Sequence, residues 1–161
     1  LGVFYVAWLG SHVILLRKLG EVHPEGDLGG LFVILAFALA WGTDTGGYLF
    51  GSAIGKRKLM PRVSPEKTVE GALCAAATCF VIAIVSKYTY AEFLSLRDAL
   101  ILGVVSPAMA ILGDLVESLM KRDVAVKETS RALPGHGGML DRFDSVLFVA
   151  PLVYYYLRFV V

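Results

Sequence analysis

Hydrophobic residues are concentrated in five long stretches of the chain, with shorter polar stretches between them. They cover residues 1–16, 28–54, 71–86, 98–113 and 143–161. With its flanks, each stretch approaches or exceeds the ~20 residues that an α-helix needs to cross the hydrocarbon core of a membrane. Apolar and polar residues do not alternate with a period of two, so a transmembrane β-barrel has little support. The pattern predicts an all-α fold, a polytopic bundle of about five transmembrane helices.

The composition agrees with a membrane protein. Of the 161 residues, 57% are hydrophobic and 18% are charged, and the mean hydropathy is +0.69, whereas soluble domains are about 45–50% apolar. The net charge of +1 gives no bulk positive field, so we expect no nucleic-acid partner. The chain begins within an apolar stretch and shows no signal-peptide pattern. We expect residues 1–161 to be the C-terminal catalytic part of a single integral-membrane domain whose N-terminal helices are absent from the chain.

Basic residues are unequally shared among the four loops. The loops after the second and the fourth stretch hold ten Lys and Arg residues, against three in the other two loops. With five spans, these two basic loops lie on the same side of the membrane. The positive-inside rule predicts that this side is cytoplasmic.

The helix that continues from the fourth stretch carries polar residues at helical spacing. Asp114 directly follows the apolar segment AMAILG, where a carboxylate is costly unless it is paired or binds a cation. A solvated helix end with internal salt bridges is one explanation, and the depth of Asp114 favours the other, a functional site. The polar residues that share its face are Glu117, Ser118, Lys121 and Arg122.

Asp44 lies in the middle of the second apolar stretch. An unpaired charge at that depth costs about 2.5–3.5 kcal/mol. A protonated or salt-bridged structural Asp is one explanation. The neighbouring Thr45, Gly46 and Gly47 allow close backbone approach or a local break in the helix, which suits a buried polar cavity.

A glycine-rich segment with the sequence LPGHGG begins at Leu133. Pro134 ends any preceding helix, and the glycines let backbone N–H groups approach an anion, as in phosphate-binding loops. We expect His136 to contact phosphate or to lock the loop, because metal sites that carry phosphates use oxygen ligands. The glycines are Gly135, Gly137 and Gly138.

Two aspartates follow this segment and are expected to open the fifth helix on one face. Helix capping would explain a single Asp here. Asp141 and Asp144 occur together with Arg142, however, and carboxylates from different helices are the oxygen ligands that Mg²⁺ prefers when it also holds phosphates.

The basic loop at residues 56–67 runs into the sequence SPEKT. Ser64 is a helix-start signal, and Lys67 and Thr68 follow it in the chain. Together these residues offer a lysine and hydroxyl groups that could bind a triphosphate. A topology determinant or a patch for lipid headgroups is the alternative.

Residues 118–145, SLMKRDVAVKETSRALPGHGGMLDRFDS, resemble the C-terminal signature of the phosphatidate cytidylyltransferase (CDP-diacylglycerol synthase) family. In that signature, S-x-x-K-R precedes a K-D pair and then P-G-H-G-G-x-x-D-R-x-D. Residues 44–71, DTGGYLFGSAIGKRKLMPRVSPEKTVEG, resemble the second segment typical of the family. Glu128 stands where the pattern commonly has Asp, Glu66 replaces a frequent Lys, and Val69 replaces a frequent Trp.

The resemblance implies transfer of the cytidylyl group of CTP to phosphatidic acid, giving CDP-diacylglycerol and pyrophosphate, with Mg²⁺ alone or with a second cation. The expected metal ligands are Asp114, Asp141 and Asp144. The expected catalytic residues are Lys121, Arg122, Asp141, Arg142 and His136. The expected substrate-binding residues are Asp44, Lys56, Ser64, Lys67, Thr68, Lys127, Gly135, Gly137 and Gly138. The expected setting is the bacterial inner membrane, with the site facing the cytoplasm and homo-oligomerisation left open.

Three other functions compete with this one. A related CTP-using enzyme, such as a polyprenol kinase or an ether-lipid cytidylyltransferase, would share much of the chemistry, although the long signature argues against the kinase. An ion-coupled transporter would also bury Asp44 beside glycines, but it needs polar residues at both membrane faces. A structural scaffold would leave the dense D-R-x-D and K-R clusters unexplained.

Overall fold

The computed structural model describes residues 2–24, 26–61, 63–123 and 140–161. A π-helical turn, Phe4–Trp8, leads into the first α-helix, and a 3₁₀ turn, Leu140–Arg142, precedes the last. The α-helices are α1 (Leu9–Glu21), α2 (Gly29–Ile54), α3 (Val69–Thr89), α4 (Leu96–Asp123) and α5 (Asp144–Phe159). The prediction of an all-α bundle with about five helices is confirmed.

Three of these helices are long and apolar enough to cross a membrane. They are α2, α3 and α4, with 26, 21 and 28 residues. Helix α5 has 16 residues and is about 24 Å long, which is shorter than the hydrocarbon core of ~30 Å. Helix α1 has 13 residues and is extended at its start by the π-helical turn. The three long apolar helices α2, α3 and α4 make the chain an integral membrane protein.

Helix α2 lies at the centre of the bundle and packs against the other four α-helices. Its side chains Phe32, Leu35 and Leu39 are fully buried and belong to a single hydrophobic core. Leu102 of α4 and Val149 of α5 complete this core from the opposite side. Since α2 is buried on several sides, its apolar residues surround the helix rather than forming one stripe.

A short hairpin joins α2 to α3, where the sequence had predicted a loop and a helix start. Strands β1 (Lys58–Met60) and β2 (Ser64–Thr68) pair antiparallel with a register shift between their ends. The prediction that Ser64 starts a helix is wrong, because Ser64 lies in β2. Helix α3 begins at Val69, and its cap is Thr68, whose hydroxyl accepts a hydrogen bond from the Gly71 N–H at 3.1 Å.

Helix α2 runs without interruption past Asp44, so the break that the glycines allowed does not occur. The other expectation, that the glycines allow close backbone approach, is met at Gly46. A Cβ on Gly46 would lie 2.6 Å from the Cβ of Thr78 in α3. Gly46 therefore lets α2 and α3 pack closely near the position of Asp44 in α2.

Candidate functional site

A cavity of about 1580 Å³ opens at one end of the bundle. Its walls come from the C-terminal half of α2, the hairpin, the start of α3, the end of α4 and the start of α5. Pockets for one drug-sized ligand usually measure about 300–1,000 Å³. The cavity is therefore larger than a pocket for a single ligand of that size. Among the polar residues that line it are Asp44, Ser64, Glu66, Lys67, Thr68, Asp114, Ser118, Lys121, Arg122, Asp141, Arg142 and Asp144.

Three carboxylates converge beside this cavity. Asp114 and Glu117 come from consecutive turns of α4, and Asp144 is the first residue of α5. One carboxylate oxygen from each lies within 4.8 Å of the others. Like charges this close repel one another strongly unless a cation or a proton lies between them, so the group has the composition of a divalent-cation site.

Glu117 is the most deeply buried member of the group. Its side chain is 2% exposed, and its Oε1 atom has no hydrogen-bond partner among the described residues. A buried carboxylate oxygen without a partner is costly, because it has lost its water without replacement. Mg²⁺ would satisfy this atom, and oxygen ligands from carboxylates suit that ion. The donor set therefore fits the ion that the sequence predicts.

Two lysines neutralise part of this negative charge. Lys67 of the hairpin forms an ion pair with Asp114. Lys121 of α4 lies between two carboxylates, with its Nζ atom 3.2 Å from Glu117 Oε2 and 3.4 Å from Asp141 Oδ1. The lysines thus come from two of the segments that the basic-loop pattern assigned to one membrane side, and both line the cavity.

Asp44 lines the cavity from α2. It accepts a hydrogen bond from the hydroxyl of Ser145 in α5 at 2.5 Å. Ser145 itself is fully buried, whereas Asp44 is exposed to the cavity. Asp44 therefore links α2 to the start of α5 next to Asp144.

Asp141 and Asp144 do not open one helix together, as the sequence had predicted. Asp141 lies in the 3₁₀ turn, and α5 starts at Asp144. Asp141 also lies outside the group of three carboxylates and faces Lys121 instead. The adjacent Arg142 lines the cavity, and its carbonyl accepts a hydrogen bond from the Trp41 indole N–H at 3.2 Å.

The remaining described candidates belong mostly to the hairpin side of the cavity. Arg122 lines the cavity and donates from Nε to the carbonyl of Val63, so it ties the end of α4 to the hairpin. Ser64 and Thr68 line the cavity, but the Thr68 hydroxyl is engaged as the cap of α3. Lys56 is exposed and lies outside the cavity lining. Five candidates lie outside the described residues: Lys127, Gly135, His136, Gly137 and Gly138.

Glu117 is not among the metal ligands that the sequence predicts, although it shares a helical face with Asp114. Its spacing of three residues from Asp114 was the one sequence feature that pointed to it as a ligand. The burial of Glu117 depends on how α5 crosses α4, and helical spacing does not report that crossing. Ser145 was missed for the same reason, since its partner Asp44 is 101 residues away in the chain.

The chain is similar in sequence to known proteins over most of its length. Residues 1–160 match the sequence model of a family described as the cytidylyltransferase family. A phosphatidate cytidylyltransferase from Synechocystis is 39% identical, over 97% of this chain and 60% of the relative. One from Haemophilus influenzae is 42% identical, over 91% and 52%. One from Staphylococcus saprophyticus is 46% identical, over 76% and 47%. The chain thus spans about half to three fifths of the length of these relatives.

Proposed function

Because the chain belongs to the cytidylyltransferase family, we propose that it carries the catalytic site of a phosphatidate cytidylyltransferase. The reaction transfers the cytidylyl group of CTP to phosphatidic acid and releases pyrophosphate. The observation that carries the proposal is the group of Asp114 with the buried Glu117 and Asp144, placed beside a cavity that two lysines line. Relatives that bear this enzyme's name support it.

The reaction is an in-line displacement at phosphorus. An oxygen of the lipid phosphate attacks the α-phosphorus of CTP, and the bond from that phosphorus to the oxygen bridging the β-phosphate breaks. The pair of electrons leaves with pyrophosphate. The attacking phosphate monoester is already ionised at neutral pH, so the site needs no strong general base. Catalysis then depends on bringing two anions together and stabilising the charge that develops.

The side chains of the cavity fit that task. Asp114, Glu117 and Asp144 would hold Mg²⁺, which when bound draws charge from the phosphate oxygens of CTP and helps pyrophosphate to leave. Lys67 and Lys121 neutralise carboxylates in the structure as it stands. With Mg²⁺ held by these carboxylates, the ammonium groups of Lys67 and Lys121 would be placed to bind the phosphates of the substrates. Arg122 and Arg142 add positive charge along the same wall.

The cavity also suits a reaction between a membrane lipid and a soluble nucleotide. It opens at one end of helices that are long enough to span a membrane. A lipid phosphate lies at that depth while its acyl chains stay in the bilayer. The excess of Lys and Arg in the loops at this end supports the proposal that the site faces the cytoplasm, where CTP is available, and that the protein lies in the bacterial inner membrane.

A labelling experiment with the full-length natural protein tests the reaction and separates it from a polyprenol kinase and a transporter. The protein is purified in detergent and supplied with Mg²⁺, with phosphatidic acid or a polyprenol, and with CTP labelled on either the α- or the γ-phosphate. We expect the α-label to enter the lipid product and the γ-label to leave as pyrophosphate. A polyprenol kinase would instead move the γ-label to a polyprenol, and a transporter would consume no CTP.

One pair of variants tests the site itself. Asp114→Asn removes a carboxylate from the group and is expected to lower the rate by at least about 100-fold. Asp123→Asn is the matched control, because Asp123 is an exposed carboxylate at the end of the same helix. Equal rates for Asp114→Asn and the unaltered protein, with both folded, would show that the carboxylates have another purpose.

A further inference from the structure

Helices α4 and α5 touch backbone to backbone at Gly113. A Cβ at this position would lie 2.5 Å from the carbonyl oxygen of Asp144 and 3.1 Å from Cδ2 of Phe148. Gly113 also immediately precedes Asp114. We infer that Gly113 is a positioning residue, which sets the distance between the carboxylates of α4 and the carboxylate of Asp144. This inference rests on the proposed function, since it assumes that the carboxylates bind a divalent cation.

The spacing of the carboxylates leaves little tolerance. Two of the three come from α4 and one from α5, and their nearest oxygens lie within 4.8 Å of one another. Mg²⁺ binds oxygen at about 2.0–2.1 Å, so two of its ligands cannot be more than about 4.2 Å apart. Side-chain rotation can close a gap of a few tenths of an ångström. A wider separation of the two helices would take Asp144 out of range.

An alanine at position 113 would cause such a separation. Ordinary van der Waals contact begins at about 3.4 Å, and the atom that the new Cβ meets first is a backbone oxygen, not the end of a flexible side chain. Helix α4 would therefore have to withdraw from α5 by roughly 1 Å, because close-packed interiors have no room to absorb the methyl group.

Gly103 provides a matched control on the same helix. A Cβ there would lie 3.1 Å from the Cβ of Ala83 and 3.1 Å from the Cα of Phe80, both in α3. The contact is tight, but it faces a different helix and lies ten residues from Gly113, which is about 15 Å along the axis. Gly103→Ala thus disturbs helix packing without altering the spacing between Asp114 and Asp144.

The test measures metal binding directly, without turnover. The full-length natural protein in detergent is titrated with Mn²⁺, and bound ion is followed by electron paramagnetic resonance, with Mg²⁺ as competitor. We expect Gly113→Ala to raise the dissociation constant by at least about 10-fold. Gly103→Ala is expected to stay within about 2-fold of the unaltered protein. Equal losses in the two variants would mean general loosening of the bundle and would overturn the inference.

A compensating substitution gives a second readout. Asp144→Glu lengthens the α5 carboxylate by one methylene, roughly the distance by which Gly113→Ala separates the helices. Alone, Asp144→Glu should weaken Mn²⁺ binding, because the distance between α4 and α5 at their crossing fits the shorter side chain of Asp. Combined with Gly113→Ala, it should restore part of the lost affinity. If Gly113→Ala does not fold, Asp144→Glu alone decides, and unchanged Mn²⁺ affinity in that variant overturns the inference.

The outcomes separate this inference from the proposed function. Tight Mn²⁺ binding by the unaltered protein and by Gly113→Ala alike would leave the metal site in place and refute the role of Gly113. A lack of Mn²⁺ binding by the unaltered protein would refute both.

Discussion

Replacing Glu117 by Gln is expected to stabilise the metal-free protein and to remove its response to Mg²⁺. The two side chains have nearly the same shape, so the buried position stays filled. The amide oxygen of Gln still accepts a hydrogen bond from Lys121, whose Nζ lies 3.2 Å from Glu117 Oε2. The substitution thus changes mainly the charge in a group of three carboxylates.

The size of the effect follows from the distances. At 4.8 Å, which is the upper limit within the group, two like charges repel by about 3.5 kcal/mol at an effective dielectric constant of ~20. Glu117 faces two such charges, Asp114 and Asp144. Its attraction to Lys121 at 3.2 Å offsets about 5 kcal/mol of this. At a pH where Glu117 is ionised, neutralising it therefore relieves about 2 kcal/mol, which raises Tm by about 4 °C for a chain of this size.

The response to Mg²⁺ changes in the opposite direction. At a concentration 100 times its dissociation constant, a ligand that binds the folded state stabilises it by about 2.7 kcal/mol. Loss of a carboxylate ligand that weakens binding 100-fold reduces this to about 0.4 kcal/mol at the same concentration. Mg²⁺ should then raise the Tm of the unaltered protein by several degrees and that of Glu117→Gln by less than about 1 °C.

The assay is thermal unfolding of the full-length natural protein in detergent, with EDTA or with Mg²⁺. Glu66→Gln serves as the control, because Glu66 is an exposed carboxylate that lines the same cavity outside the group of three. It should keep the full Mg²⁺ response. The reasoning is refuted if Glu117→Gln keeps that response too, or if its metal-free Tm falls.

Three further predictions follow from other contacts. Asp141→Asn removes one of the two carboxylate partners of Lys121 but none of the group of three, so Mn²⁺ affinity should change by less than about 10-fold while KM for CTP rises. Thr68→Ala removes the cap that accepts from the Gly71 N–H and should lower the free energy of unfolding by about 1 kcal/mol, whereas Thr68→Ser should not; thermal unfolding checks both. Gly46→Ala brings a methyl group against α3 and should destabilise the protein by about 1–3 kcal/mol in the same assay.

The limits of α2, α3 and α5 were predictable to within three residues because they depend on local hydrophobicity. The second stretch was predicted at residues 28–54, and helix α2 spans Gly29–Ile54. The hairpin was not predictable in the same way, since β1 has three residues and β2 has five. Strands this short give no reliable period of two, so the turn chemistry of SPEKT was taken for a helix start.

The candidate site shows the same division between local and non-local information. The polar face of α4 was readable from the spacing of its residues. Which of those residues is buried depends on where α5 crosses α4, and α5 approaches the backbone of α4 closely at Gly113. For this reason the sequence predicts Glu117 as a residue of the polar stripe but not as a metal ligand, whereas in the structure it is one of the most buried side chains of the site. Asp141, which it chose as a ligand, instead faces Lys121.

The pairing of lysines with carboxylates has a consequence for how the proposed substrates bind. A cation that takes Asp114 frees the ammonium group of Lys67 in a half-buried position, where an unpaired charge is costly. An anion that takes Lys67 likewise leaves Asp114 unpaired beside two other carboxylates. Each event alone is opposed, whereas after both events Asp114 and Lys67 would each have a partner of opposite charge. We therefore expect binding of a divalent cation and of nucleotide phosphates to be mutually favourable, because by thermodynamic linkage each ligand would increase the affinity for the other by the same factor.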